Sequence, residues 1–258
     1  MKLNKKIRPL LLQFGALFFL IFSSACGNKN SFISYYNLGD PKLDLSRKKL
    51  TSIPSYVFNQ NEIKVLNLHN NKLTQIPDEI GKLTRLERLI LSRNELTYIS
   101  PEIGKLENLR KLSLKANQLE VIPKEIGQLK NLEELWLSFN NLSYLPEEIC
   151  DLPKLTHLYL EFNQLQALPE NIGKISGLIH LVIGPNNINQ LPQSFYQLAK
   201  LNTLDLTRSG PELIVTEDMC QMRWLETLYI DAATLSFLPR CVEIRSRSNP
   251  RFSIFLKN

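Results

Sequence analysis

Residues 132–154 read LEELWLSFNNLSYLPEEICDLPK, and the 23 residues before them, 109–131, read LRKLSLKANQLEVIPKEIGQLKN. Aligned without a gap, both segments carry Leu at positions 1, 4, 6 and 11, Asn at 9, Pro at 15, Ile at 18 and Leu at 21. The same 23-residue frame starts at Asp40, Ile63, Leu86, Leu109, Leu132, Leu155, Leu178 and Leu201, and a ninth unit starts one residue late, at Leu225. A fixed period of this length is the mark of a repeat architecture in which each unit buries its apolar face only against its neighbours. Leu at positions 4 and 6, alternating with mostly polar residues at 5 and 7, predicts a short strand with one buried face. Stacked units then give a parallel sheet with strands about 4.8 Å apart. Apolar residues at 11, 14, 18 and 21 fill the wedge behind the sheet. Pro at 15 fixes φ and withholds a donor, so the returning chain is predicted to be tight or extended rather than a long α-helix.

The frame resembles the leucine-rich repeat family over about residues 40–240. That resemblance implies an α/β leucine-rich repeat solenoid, a curved right-handed arc with a parallel β-sheet on its concave face and short 3-10 or extended returns on its convex face. It also gives a role to Asn71, Asn94, Asn117, Asn140, Asn163 and Asn186, which hold position 9 in six consecutive units. In the family this amide is buried and hydrogen-bonds the turning backbone of neighbouring repeats. Lys48, Ser209 and Ala233 replace it in the first, eighth and ninth units, where terminal repeats become caps. The expected organisation is a signal peptide at 1–25, a tether and lead-in at 26–39, nine repeats at 40–240 and a C-terminal cap at 241–258.

The N-terminal segment explains most of the net charge of +6. Lys2, Lys5, Lys6 and Arg8 precede an apolar run from Leu10 to Phe22 and the small residues Ser23, Ser24 and Ala25. Basic region, short apolar run and small-residue site together predict an export signal, and the run is too short for a spanning helix. Four of the 31 basic residues and none of the 25 acidic ones lie there, so the remainder carries 27 against 25. A nucleic-acid partner is therefore not expected. Cys26 after Ser-Ser-Ala resembles a bacterial lipobox, with Ser23 where Leu is usual; spirochaete lipoproteins tolerate such departures. The resemblance implies a lipid on Cys26, hence membrane attachment in the bacterial envelope, facing either the periplasm or the outside. Ordinary cleavage after Ala25, giving a secreted protein, is the other reading.

At the C-terminus, Phe252, Ile254 and Leu256 alternate and predict a last edge strand, with Arg240, Arg245, Arg247, Arg251 and Lys257 read as exposed charges that discourage strand association. Cys220 and Cys241 fall on the return side of neighbouring terminal repeats, leaving a disulfide and two free thiols as alternatives.

No phosphate-cradling glycine loop, nucleophile elbow, zinc-protease helix or paired-cysteine motif is present, and only about 20 residues follow the last repeat. Neither an enzyme nor a cofactor is expected, and a binding module is. Position 5 of the frame reads Asp44, Asn67, Ile90, Ser113, Trp136, Tyr159, Val182, Asp205, Tyr229, and position 8 carries Phe139 and Phe162. With positions 2, 3, 5, 7 and 8 facing solvent on the sheet side, Trp136, Tyr159, Phe139 and Phe162 form one aromatic patch suited to a protein partner. Alternatively position 8 turns inward and the two phenylalanines are core. Arg88, Arg93, Arg110, Lys111 and Lys115 flank the patch, with Glu133, Glu134 and Glu161 beside it, and offer a partner charges for register. Glu134, His157 and His180 share position 3 on successive strands, next to the rings; this row is either part of the contact surface or a Zn²⁺ site. The main functional expectation is partner binding through the concave face; the alternative is a structural envelope protein that forms a homodimer through the same patch.

Overall fold

The computed structural model describes residues 41–210 and 213–257. The expected signal peptide, Cys26 and the tether to residue 39 lie outside the described residues.

Positions 3 to 5 of each repeat form the strands: Lys42–Asp44, Val65–Asn67, Arg88–Ile90, Lys111–Ser113, Glu134–Trp136, His157–Tyr159, His180–Val182 and Thr203–Asp205, followed by Thr227–Ile230 and Ser253–Leu256. They build one parallel ten-stranded sheet in chain order. Register follows the repeat length: Glu134, Leu135 and Trp136 pair with His157, Leu158 and Tyr159, 23 residues on. Past the late ninth unit, Thr203 pairs with Thr227 instead. The leucines at positions 4 and 6 are buried without exception, and the core runs as one cluster from Leu43 to Phe252. Behind the sheet the chain returns through single 3-10 turns, such as Asp78–Lys82, Lys124–Gln128 and Glu147–Asp151. Pro77, Pro123 and Pro146 stand just before these turns, where a missing N–H costs nothing. A 3-10 turn is wider than the strand spacing, so the stack curves toward its sheet and the sheet face is the concave one.

The asparagine at position 9 holds this turn together. In Asn117, Oδ1 accepts from Leu96 N–H at 3.1 Å, while Nδ2 donates to the carbonyls of Leu91 at 3.1 Å and Leu114 at 2.8 Å. One buried amide thus links two successive repeats and satisfies backbone groups that the turn leaves without partners. The residue just before it, at position 8, is left-handed in nearly every unit, with φ between 55° and 58° at Arg47, Asn70, Arg93, Ala116, Phe139, Phe162 and Arg208. The seventh unit differs because Pro185 occupies position 8 and a proline ring cannot reach positive φ. Gly184 takes the left-handed conformation one residue early, at φ 53°.

Two features depart from the sequence reading. Position 7 is not uniformly exposed: Ser138 and Thr207 are buried, because the chain is already turning inward after the strand. Arg240, Arg247, Arg251 and Lys257 of the basic tail are exposed as expected, but Arg245 is not. Residues Arg240–Ser248 form an α-helix that the repeat frame did not foreshadow. Its Arg245 guanidinium donates to the carbonyls of Met222, Arg223 and Leu225 at 2.7 to 2.8 Å and lies over the Phe252 ring at 4.7 Å. Arg245 therefore ties the C-terminal helix to the backbone that leads into the strand Thr227–Ile230. A disulfide joins Cys220 to Cys241, with Cα atoms 5.9 Å apart, and ties this helix to the last 3-10 turn. Cys150 is a free, buried thiol.

Candidate functional site

The sheet face carries two aromatic pairs at its centre. Trp136 and Tyr159 are direct cross-strand partners, and their rings stack with centroids 4.1 Å apart. Phe139 and Phe162 stack at 4.2 Å with an interplanar angle of 16°. Position 8 does not turn inward: the left-handed backbone directs both phenylalanines to solvent, and they are 41% and 48% exposed. Trp136 and Tyr159 are half-buried. A bulky residue at positive φ costs about 1–2 kcal/mol per position, and burial does not repay it here.

The charges expected to greet a partner are partly spent within the protein. Lys111 forms an ion pair with Glu134 at 2.7 Å and lies 5.2 Å from the Trp136 ring centroid. The same Glu134 carboxylate accepts from Trp136 Nε1 at 3.1 Å. Burial works to raise the Glu134 pKa, but the hydrogen bonds from Lys111 and Trp136 outweigh it and the carboxyl is held below its ordinary value. Lys111 and Glu134 therefore fix the orientation of Trp136 rather than standing free. Arg110 is paired with Glu133 through two hydrogen bonds of 3.0 and 3.1 Å, and Lys115 lies 5.1 Å over the Phe139 ring. Arg88 and Arg93 are exposed on the N-terminal side of the patch.

Glu134, His157 and His180 do share a row, but they do not converge as metal ligands. Two of the three are committed elsewhere: Glu134 to Lys111 and Trp136, and His157 Nδ1 to Thr156 Oγ1 at 2.8 Å. The two imidazoles stack with centroids 4.5 Å apart and an interplanar angle of 22°. Burial, and then the neighbouring His157, push the His180 pKa down. Among the described residues the one group whose ligand atoms gather within 4.8 Å is Glu217, Cys220 and Cys241, and its two sulfurs are consumed in the disulfide.

Beyond the aromatic pairs, toward the C-terminal end, the same face opens into a groove of about 520 Å³. Its walls include Tyr159, Phe162 and Tyr229, with Glu161, Gly184 and Thr207 along the position-7 row. Lys257 reaches it from the last strand, pairing with Asp205 at 2.6 Å and lying 3.9 Å over the Tyr229 ring. The sequence reading missed this groove. Its visible signal was the Gly184-Pro185 dipeptide, which interrupts positions 7 and 8 in one repeat alone.

The family model described as Leucine rich repeat matches residues 41–102 and 107–165, a little under half of the chain. The fold is a leucine-rich repeat solenoid. No curated protein matches it significantly. Similar solved structures include an internalin from Listeria monocytogenes, 21% identical with a TM-score of 0.68 over 84% of this chain and 61% of that one. A protein described as a TDR receptor is 25% identical, with a TM-score of 0.59 over 74% of this chain and 39% of that one. A leucine-rich repeat protein of Leptospira interrogans aligns at 23% identity over 83% of both chains, with a TM-score of 0.35. The chain thus spans less than two thirds of the lengths of the internalin and of the TDR receptor. Leucine-rich repeat modules are in general protein-interaction modules.

Proposed function

We propose that this chain is a non-enzymatic, exported leucine-rich repeat protein, anchored in the bacterial envelope by a lipid on Cys26, that binds a protein partner through its sheet face. The observation that carries the reading is the pair of aromatic stacks. Phe139 and Phe162 sit exposed in left-handed backbone, and Trp136 is held in place by Glu134 and Lys111. Large rings that are solvent-facing, pre-oriented and maintained at a cost in backbone strain suit the centre of an interface, where ordered aromatics lose little entropy on binding. His157 and His180 extend this surface along the adjacent row, and Arg88 and Arg93 border it.

The test is capture of partners from envelope extracts by the full chain and by its Trp136→Ala/Tyr159→Ala variant. A specific partner retained by the first and lost by the second supports the reading; partners captured equally by both refute it. Sedimentation of the chain over a range of concentrations separates this from self-association, which requires a dimer that the same double variant abolishes. Anchoring is tested by labelled palmitate, which must enter the wild-type chain and not Cys26→Ser.

A further inference from the structure

Four buried side-chain oxygens of the described residues have no hydrogen-bond partner, those of Ser138, Glu161, Thr207 and Ser209. Three of them fall in one row. Position 7 in the fifth to eighth repeats reads Ser138, Glu161, Gly184, Thr207, so Glu161 and Thr207 flank a unit that has no side chain at this position. Adjacent strands are about 4.8 Å apart, which places the two flanking backbones about 10 Å from each other across Gly184. The gap follows from Pro185, which forces the left-handed residue back onto position 7 and so favours glycine there. A Cβ on Gly184 would lie only 2.3 Å from the Glu161 Cβ, so the stem of Glu161 packs over the bare glycine backbone, and the open space is the groove that Glu161, Gly184 and Thr207 line together.

We propose that the groove at Glu161 and Thr207 is a socket for an arginine side chain of the protein partner. The proposal rests on the protein-binding reading above and specifies its chemistry. Glu161 Oε2 is a buried acceptor without a donor, a state that costs more for a carboxylate than for any neutral group. Thr207 Oγ1, across the gap, has an acceptor to offer as well. A guanidinium carries five N–H donors in a flat fork, wide enough to address both sides. It is weakly hydrated and lies against aromatic faces such as those of Tyr159, Phe162 and Tyr229 that wall the groove. An ammonium is a compact point donor that serves Glu161 alone, and an anion meets Glu161 head-on.

The other charges facing the groove are Asp205, Lys257 and Arg208. Asp205 and Lys257 neutralise each other at 2.6 Å. Arg208 is exposed, with its backbone N–H donating to Asp231. Burial, and then the carboxylates of Glu134 and Glu161, raise the Tyr159 pKa.

Trp136 also lines the groove, and the chain's second tryptophan, Trp224, is exposed and does not line it. In the full chain carrying Trp224→Phe, fluorescence then reports on Trp136. The probes are N-acetyl-arginine amide, its lysine counterpart and the neutral isostere N-acetyl-citrulline amide. Saturable quenching by the arginine probe, weaker quenching by lysine, none by citrulline, and a loss of affinity of about tenfold or more in Glu161→Gln support the socket. Glu226→Gln, just before the strand Thr227–Ile230 and outside the groove, is expected to bind as the parent does. Citrulline binding as well as arginine, lysine binding as tightly as arginine, or an unchanged affinity in Glu161→Gln overturns it. The citrulline comparison needs no substitution at the site, so it decides even if Glu161→Gln misfolds. Each of these failures leaves the protein-binding reading intact, because that reading stands on Trp136 and Tyr159 in the capture experiment.

Discussion

Replacing Asn117 by alanine tests the physical account of the stack most directly. Counting the amide's three hydrogen bonds as equal would overestimate the loss. The Leu91 carbonyl also accepts from Asn94 Nδ2 at 2.9 Å, and the Leu114 carbonyl also accepts from Asn140 Nδ2 at 3.1 Å, so both keep a partner when Asn117 is gone. Leu96 N–H, held by Asn117 Oδ1 alone among the side chains, loses its acceptor inside the core. An orphaned buried donor costs about 1–3 kcal/mol, and each lost second bond to a carbonyl about 0.5 kcal/mol more. Asn117→Ala should therefore lower stability by about 2–4 kcal/mol. Asn186→Ala should cost about 1 kcal/mol more at its own site, because the next position 9 is Ser209. No following amide shares the Ile183 carbonyl, which Asn186 Nδ2 reaches at 2.6 Å. Urea unfolding followed by circular dichroism measures both, and a constant m-value confirms that the same cooperative unit is being compared. Losses under about 1 kcal/mol, or a larger loss at Asn117 than at Asn186, would refute the sharing argument.

Phe139→Ala removes a half-exposed ring and its stack with Phe162, worth about 0.5–1.5 kcal/mol, so stability should change by no more than that while partner affinity falls at least tenfold. A thermal melt and a binding titration of the same variant separate the two effects. Burial, reinforced by Glu147 and Asp151, pushes the Cys150 thiol up to about 12. In a Cys26→Ser chain at pH 8 it should therefore resist thiol reagents until the protein is denatured, and prompt native labelling would contradict this. Replacing Cys220 and Cys241 by serine opens a loop of 21 residues and should cost about 3 kcal/mol, concentrated in the C-terminal cap. Hydrogen exchange that loosens around Arg240–Ser248 and leaves the central repeats protected would bear this out. His180, depressed by burial and by His157, should titrate below pH 6.5 in NMR and move upward in His157→Ala. Because the folded pKa is the lower one, its contribution to stability is present above about pH 6.5 and is lost as pH falls through the folded value.

What the sequence revealed divides along the repeat frame. A 23-residue period dictates the partner of every residue on the next strand, so the pairing of Trp136 with Tyr159 and the row of asparagine amides were both legible. The frame also placed Phe139 beside Phe162, but left open which way they face; the left-handed backbone at position 8 decides that, and no single residue type announces it. Lys111 was read as an outward charge because the frame gives neighbours and not hydrogen bonds, whereas its ammonium is held by Glu134. Where the period stops, prediction stopped with it. Arg245 and Lys257 belong to a cap without a repeat, and Lys257 meets Asp205 across 52 residues of chain that no periodicity relates.

The groove shows how a local exception acquires meaning against a regular background. Proline at position 8 of any one repeat excludes the left-handed turn that its neighbours make there, and the chain accommodates it by moving that turn onto Gly184. The exchange removes one side chain from a row in which the flanking members, Glu161 and Thr207, are left with unpaired oxygens. Ordinary packing would favour either a partner for those oxygens or apolar residues in their place, since both are cheaper than a half-satisfied polar cluster. Neither is found, although Lys257 lies in the same groove and is bound instead to Asp205. The unpaired carboxylate, the missing side chain and the aromatic walls are costly or neutral for the free protein, and they become favourable together only when a planar cationic donor enters.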